Sequence, residues 1–233
     1  MPLLHHRDRV GDGDLVIEVA FTDVSLSLGD AAPEEERRDA LARFSDAAGA
    51  RPVLMHQVHG ADVVIVGDGP TPDAPPSCDG LVTSRPGLAL LARAADCVPV
   101  LLADPATGWV GAAHAGRPGL AAGVVPATVA RMRAEGADPS VAWLGPHVCG
   151  ACYEVPADLH EEVAALVPTS RSTTSWGTPA LDLGAGVRAQ LAAAGVTDVR
   201  DVGTCTREDT TWPSYRRDGA AATRFAGAIW SHA

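Results

Sequence analysis

Two stretches carry the residue types from which chemistry is most readily built: Ala95-Asp96-Cys97-Val98-Pro99-Val100-Leu101-Leu102-Ala103-Asp104 and, shortly after it, Ala113-His114-Ala115-Gly116. They set a thiol and an imidazole at opposite ends of what reads as a buried strand pair, among small neighbours that leave room for a ligand. His59 stands upstream, in His56-Gln57-Val58-His59-Gly60. A thiolate with two imidazoles matches zinc held by three protein ligands with an open fourth position. The same residues equally supply a nucleophile and its base, Cys97 with His114. The residues alone leave both readings open, and a histidine beside a glycine also reads as a plain turn residue.

Two further groups invite chemistry. The spacing of Cys149 and Cys152 suggests redox or zinc, but structural zinc needs two more ligands at matching spacing and none follows, so buried free thiols are expected. Arg216 and Arg217 lie between apolar segments, where a guanidinium is suited to gripping phosphate or carboxylate.

The chain that must position these groups has 233 residues, is 46% hydrophobic but only 4% aromatic, and carries a net charge of −11. That length, with no linker-like stretch, predicts one domain over 1–233 whose core is Ala, Val and Leu. Nucleic acid is excluded as a partner, because phosphate contacts need clustered Lys and Arg and no such block is present. A small molecule fits better. Five cysteines, an odd number, do not form a disulfide framework, and residues 1–14 lack the apolar core of a signal peptide, so a cytoplasmic protein is expected. Residues 1–14, with His5 and His6, read as a flexible terminus. The longest apolar region, 87–115, is broken by Arg93, Asp96 and Asp104 and is not a membrane span.

Hydrophobic periodicity predicts a strand over 15–21, a helix over 34–48 with acids in its first turn, strands over 52–55 and 62–66, and an irregular loop over 67–77 with a mobile tip. Strands follow over 80–83, 88–92, 98–102 and 109–113, so uniformly apolar that both faces must be covered. A helix over 120–134 puts His114 between a strand end and a helix start. The remaining elements are a strand over 141–144, helices over 156–167 and 181–194, a strand over 199–202 and a last strand over 225–230 that closes the sheet.

Seven ordered motifs, Gln57-Val58-His59-Gly60, Asp79-Gly80-Leu81-Val82-Thr83, Ala95-Asp96-Cys97-Val98-Pro99-Val100, Ala113-His114-Ala115-Gly116, Gly145-Pro146, Cys152-Tyr153-Glu154-Val155 and Ser214-Tyr215-Arg216-Arg217-Asp218-Gly219, resemble those of the YfiH family. This is the DUF152 or multicopper polyphenol oxidoreductase (laccase) family, which includes FAMIN-related purine nucleoside phosphorylases. The resemblance covers most of the chain. It implies an α/β (α+β) sandwich, a mixed β-sheet core flanked by helices, related to cysteine-hydrolase-like toxin domains. It also implies zinc, or copper, held by His59, Cys97 and His114. The implied activity is phosphorolysis of adenosine, inosine, guanosine and methylthioadenosine, with adenosine deaminase activity beside it.

On that reading the partners are a nucleoside and phosphate, the chain is a monomer or small homo-oligomer, and Arg216 or Arg217 holds the phosphate. Asp79 is a substrate contact, and Asp79, Asp96 or Glu154 either assists proton transfer or serves as an acceptor for backbone donors. Two departures bear on specificity. Arg117-Pro118 replaces the family's Trp-Arg after His114-Ala115-Gly116, and the N-terminal family motif survives only as Thr22-Asp23-Val24-Ser25 and Ser27-Leu28. The alternatives are a copper-dependent polyphenol oxidase, disfavoured by the presence of only eight histidines, a hydrolase editing peptidoglycan precursors through Cys97, and a binding protein without catalysis.

Overall fold

In chain order the elements are β1 (Leu4–Val10), β2 (Val16–Thr22), α1 (Glu34–Ala48), β3 (Arg51–Val53), β4 (Val63–Ile65), β5 (Gly80–Thr83), β6 (Leu88–Ala94), β7 (Val98–Asp104) and β8 (Trp109–Ala115). There follow α2 (Arg117–Ala122), α3 (Val124–Ala134), β9 (Val141–Leu144), α4 (Ala157–Leu166), β10 (Arg171–Thr173), β11 (Pro179–Leu181), α5 (Leu183–Ala193), β12 (Asp198–Asp201), α6 (Tyr215–Asp218) and β13 (Phe225–His232). This is a computed structural model, and it describes residues 3–232 apart from 12, 14, 30, 31 and 68–73. The tip of the expected 67–77 loop lies outside the described residues.

The strands form a five-stranded sheet, β1-β2-β13-β6-β3, and a six-stranded sheet, β12-β9-β7-β8-β5-β4, with β10 and β11 as a separate pair. Alternation along the strands shows how they stack. In β6, Leu88, Leu90 and Ala92 pack with Leu101, Ala103, Val110 and Ala112 of β7 and β8, which fills the space between the two sheets. Ala89 and Leu91 turn the other way, onto Phe44 and Ala48 of α1. On the far side, Val98, Val100 and Leu102 of β7 pack under Leu120, Val125, Val163 and Val187 of α2 to α5. The order is therefore helix, sheet, sheet, helices. Strands covered on both faces need no polar alternation, which is why β6 to β8 are apolar apart from Arg93, Asp104 and His114. This is the α/β sandwich that the sequence led us to expect.

Four expectations are corrected. Residues 4–10 are not a flexible terminus: β1 pairs antiparallel with β2, and Asp8 accepts the Trp143 indole N–H at 2.7 Å. The helix over 120–134 begins earlier and is broken in two at Gly123, whose φ of 81° lies in the left-handed region open to glycine. The last strand does not close its sheet but runs through the middle of it, between β2 and β6. Finally, Cys97 and His114 are not at opposite ends of their strand pair. Since β7 and β8 are antiparallel, with Val98 opposite Ala115 and Pro99 opposite His114, the start of one strand meets the end of the other.

Candidate active site

The thiol owes its position to a short passage between layers. β6 belongs to the first sheet and β7 to the second, and only residues 95–97 join them. Asp96 makes the bend with a φ of 86°, a conformation that costs a non-glycine residue on the order of 1 kcal/mol. Its hydrogen bonds hold it there. Thr206 Oγ1 and the Arg216 backbone N–H each donate to the Asp96 carboxylate at 2.6 Å, and the Val148 N–H donates to its carbonyl at 3.1 Å. Cys97 is thus presented at the mouth of the gap between the sheets.

One buried carboxylate holds the His114 ring and the backbone turn that carries His59. Asp79 immediately precedes β5, and its oxygens accept the backbone N–H groups of Val58 at 3.1 Å, His59 at 3.0 Å and Gly60 at 2.7 Å. These bonds fix the tight turn in which His59 has a φ of 61°. The same carboxylate meets His114 Nδ1 at 2.8 Å. In the neutral imidazole the Asp79 carboxylate keeps the proton on Nδ1 and leaves the Nε2 lone pair of His114 for an ion in the cavity. The rings of His59 and His114 lie 4.8 Å apart, nearly perpendicular, and His59 Nε2 is 3.9 Å from Cys97 Sγ. Gly116 closes the cradle from behind: a Cβ there would lie 2.5 Å from His59 Cδ2 and 3.1 Å from Cys97 Sγ.

Burial alone would push the Cys97 thiol up, but the His114 and His59 imidazoles outweigh it and hold the group down at about 6. Burial would likewise lower His114, yet the Cys97 sulfur and the Asp79 carboxylate push it up to about 9. Asp79 stays below the usual carboxylate range despite its burial, because His114 and the Gly60 and Val58 amides stabilise its charge. The pair is a thiolate beside an imidazolium when no other cation is present.

One sulfur and two imidazole nitrogens within 4.8 Å of one another are a donor set suited to zinc, and also to copper. The carboxylate behind His114 supplies the outer support typical of metal-bound histidine. His59, Cys97 and His114 therefore fit the metal that the resemblance implies.

These residues open onto a cavity of about 360 Å³, lined also by Gln57, Arg93, Tyr153, Tyr215, Arg216 and Arg224. Arg216 lies over the Tyr153 ring, 4.8 Å from its centroid. The Tyr153 hydroxyl is pushed up by burial and by Cys97, and Arg117 and Arg216 pull against that shift. The structure thus brings His59, Cys97, His114 and Arg216 together. It moves two expected substrate contacts out of the wall. Asp79 is fully buried beneath the histidines with its oxygens engaged. Arg217 donates to the Thr206 and Trp212 carbonyls at 2.7 and 2.9 Å and to Asp218, so its guanidinium braces a loop. Asp96 and Glu154 are acceptors too, Glu154 for the Trp176 indole at 3.1 Å.

Among the wall residues that sequence reasoning missed, Arg93 left the clearest signal. It is a buried cation in an otherwise apolar strand. Gln57, Tyr153 and Tyr215 lay inside quoted motifs without a role, and Arg224 gave no signal. Cys149 and Cys152 are free thiols as expected, Cys152 buried and Cys149 partly so, but Cys205 and Glu208, which the spacing around the pair did not reveal, lie close to them.

Residues 16–232 match the family model described as multi-copper polyphenol oxidoreductase laccase. A purine nucleoside phosphorylase of Streptomyces coelicolor is 52% identical over 213 residues, covering 88% of this chain and 87% of its own. Among solved structures, Bacillus licheniformis YfiH superposes with a TM-score of 0.83 at 26% identity, covering 95% of this chain and 98% of its own. A Neisseria meningitidis protein of the DUF152 family gives 0.84 at 29% identity, covering 99% of this chain and all of its own. With the family model spanning nearly the whole chain and relatives this close, the protein belongs to the YfiH, or DUF152, family of laccase-like polyphenol oxidoreductases.

Proposed function

We propose that the protein is a metal-dependent purine nucleoside phosphorylase, acting on adenosine, inosine, guanosine and methylthioadenosine, with adenosine deamination as a second activity. One observation carries the reading: in a chain of net charge −11, three arginines, Arg93, Arg216 and Arg224, share a cavity with the His59, Cys97 and His114 donor set. Its volume, about 360 Å³, is of the size that takes a small organic ligand. Local positive charge in an acidic protein selects an anion, and inorganic phosphate is the anion phosphorolysis consumes. The name carried by the Streptomyces relative agrees with this choice.

In the reaction the bond between C1′ and the purine nitrogen breaks, a phosphate oxygen bonds C1′, and the departing base takes up a proton. Arg216, exposed at the rim and stacked on Tyr153, orients phosphate towards the sugar, with Arg93 and Arg224 adding charge. Tyr153 offers an apolar face to the nucleoside and a hydroxyl that burial keeps protonated, so a proton for the base is at hand. Asp79 holds the proton of His114 on Nδ1 and keeps both imidazoles aimed at one point. Zinc, or copper, held by His59, Cys97 and His114 would act as a Lewis acid and bring a bound water towards hydroxide at neutral pH, the nucleophile that deamination at C6 of adenine requires.

The test is product analysis on protein of measured metal content, with adenosine in the presence and absence of inorganic phosphate. Adenine and ribose 1-phosphate in equal amounts, formed only with phosphate, and inosine formed without it, are expected. No phosphate-dependent release of base from any of the four nucleosides rejects the proposal.

A second reading rests on the thiolate itself. Cys97 held at about 6 beside His114 is a competent nucleophile, as a hydrolase acting on peptidoglycan precursors would need. Hydrolysis that survives metal removal and is abolished by thiol alkylation would favour it over the phosphorylase.

A further inference from the structure

Away from the cavity, a second set of soft donors is assembled from two turns. Cys149 and Cys152 bound the turn in the loop after β9, and Cys205 and Glu208 bound the turn in the loop after β12. β9 and β12 are parallel neighbours, with Val141 to Leu144 paired to Asp198 to Asp201, so both loops leave the sheet from the same edge. The loops stay side by side: the His147 N–H donates to the Thr204 carbonyl at 3.2 Å, and the Thr206 N–H donates to the His147 carbonyl at 3.1 Å. Each turn is closed by its own hydrogen bond, from the Cys152 N–H to the Cys149 carbonyl at 2.9 Å and from the Glu208 N–H to the Cys205 carbonyl at 3.2 Å. Two donors three residues apart on each of two apposed turns is the pattern by which zinc knuckles and ribbons gather four ligands.

The donor atoms, Sγ of Cys149, Cys152 and Cys205 and a carboxylate oxygen of Glu208, all lie within 4.8 Å of one another. Tetrahedral zinc with thiolate bonds of about 2.3 Å would set its sulfurs about 3.8 Å apart, so the cluster is within a small contraction of that geometry. Cys152 Sγ is 3.5 Å from Glu208 Oε1, and the Cys149 N–H points at Cys205 Sγ from 3.4 Å, a donor that would stabilise a metal-bound thiolate. The cysteines are free thiols.

We propose that Cys149, Cys152, Cys205 and Glu208 form a second metal site, a closed structural site for zinc, separate from the one at His59, Cys97 and His114. The charge balance supports it. Three thiolates and a carboxylate gathered within 4.8 Å of one another need a compensating positive charge between them. Zinc supplies that charge and displaces the thiol protons to solvent. Closed four-ligand coordination leaves no position for substrate, so the role is mechanical. Tyr153 follows Cys152 and Thr206 follows Cys205, and Thr206 donates to Asp96 at the bend that presents Cys97. The ion would clamp the loop that carries Tyr153 into the cavity wall to the loop whose Thr206 holds the Asp96 bend. This inference does not depend on which reaction the cavity performs.

The test is metal stoichiometry and cobalt(II) spectroscopy on the full chain, purified without added reductant. Wild-type protein is expected to hold about two zinc equivalents, and the His59→Ala/His114→Ala and Cys149→Ser/Cys205→Ser variants about one each. With cobalt(II), the His59→Ala/His114→Ala variant should keep an intense sulfur-to-cobalt charge-transfer band from three thiolates on one ion. A single equivalent lost with the histidines and untouched by the serine variant overturns the proposal. So does a disulfide among Cys149, Cys152 and Cys205 in peptide maps of the freshly purified protein. Should the serine variant not fold, the His59→Ala/His114→Ala spectrum decides alone: multiple-thiolate intensity supports the site, and its absence refutes it.

Discussion

The Asp79 carboxylate meets His114 Nδ1 at 2.8 Å while also accepting the His59 backbone N–H at 3.0 Å, so one buried acid orients both imidazoles. Asp79→Asn keeps the shape but removes the charge that fixes the His114 tautomer and gathers the turn at His59. We expect zinc affinity to fall by about 10- to 100-fold, as measured by competition with a chromophoric chelator. An unchanged affinity would show that the carboxylate does not support the site.

In metal-free protein the thiolate and imidazolium set a pH window. Cys97 has a folded pKa of about 6, below its ordinary 9.0, so its contribution to stability is complete above 9.0 and is lost as pH falls through about 6. His114 has a folded pKa of about 9, above its ordinary 6.5, so its contribution is complete below 6.5 and is lost as pH rises through about 9. The two changes oppose each other between those limits. Thermal unfolding of the chelated protein should therefore show a Tm that this pair leaves nearly unchanged between about pH 6.5 and 9. Alkylation of Cys97 by iodoacetamide should rise with a midpoint near pH 6, with Cys97→Ser as control.

Gly116 has an ordinary φ of −74°, so a side chain there is opposed by space and not by backbone strain. In Gly116→Ala the new methyl meets His59 Cδ2 at 2.5 Å and the Cys97 sulfur at 3.1 Å. We expect bound metal at the histidine site to drop at least about tenfold in affinity, with a stability loss of about 1–3 kcal/mol from overpacking. Metal analysis and denaturant titration on one preparation would separate the two effects.

The adjacent arginines should behave differently. Arg216 lies over Tyr153 on the cavity wall, and Arg216→Ala should raise KM for phosphate by about tenfold or more, the worth of one charge-assisted contact, while leaving Tm nearly unchanged. Arg217 spends its guanidinium on the carbonyls of Thr206 and Trp212, and Arg217→Ala should lower stability by about 1–3 kcal/mol. Steady-state kinetics with phosphate as varied substrate, paired with melting curves, checks both. Equal effects on KM would mean that both act through the loop.

The layers were legible where burial writes itself into composition. The uniformly apolar β6, β7 and β8 announced strands covered on both faces, and α1 carried acids in its first turn and ends at Gly49 in the left-handed region. What composition did not carry is which sheet each strand joins, since β6 and β7 are equally apolar yet belong to different layers. β1 escaped because an edge strand with alternate residues exposed reads as a polar tail. His59, Cys97 and His114 were recognisable by type, but their convergence depends on Asp79, whose bonds reach across the chain. Cys205 and Glu208 were invisible as companions of Cys149 and Cys152 because only the pairing of β9 with β12 makes them neighbours. Arg93 was legible only as an interruption in an apolar run, although its charge inside a strand was the hint.

Residues 95–97 give the chain no slack where it crosses from one sheet to the other. If the layers slid against each other, the sulfur would be dragged with them while His114 stayed with its own strand. Turnover would then gauge interlayer alignment, and a truncation as remote as Leu90 or Leu101, deep between the sheets, would register as lost catalysis before it registered as lost structure.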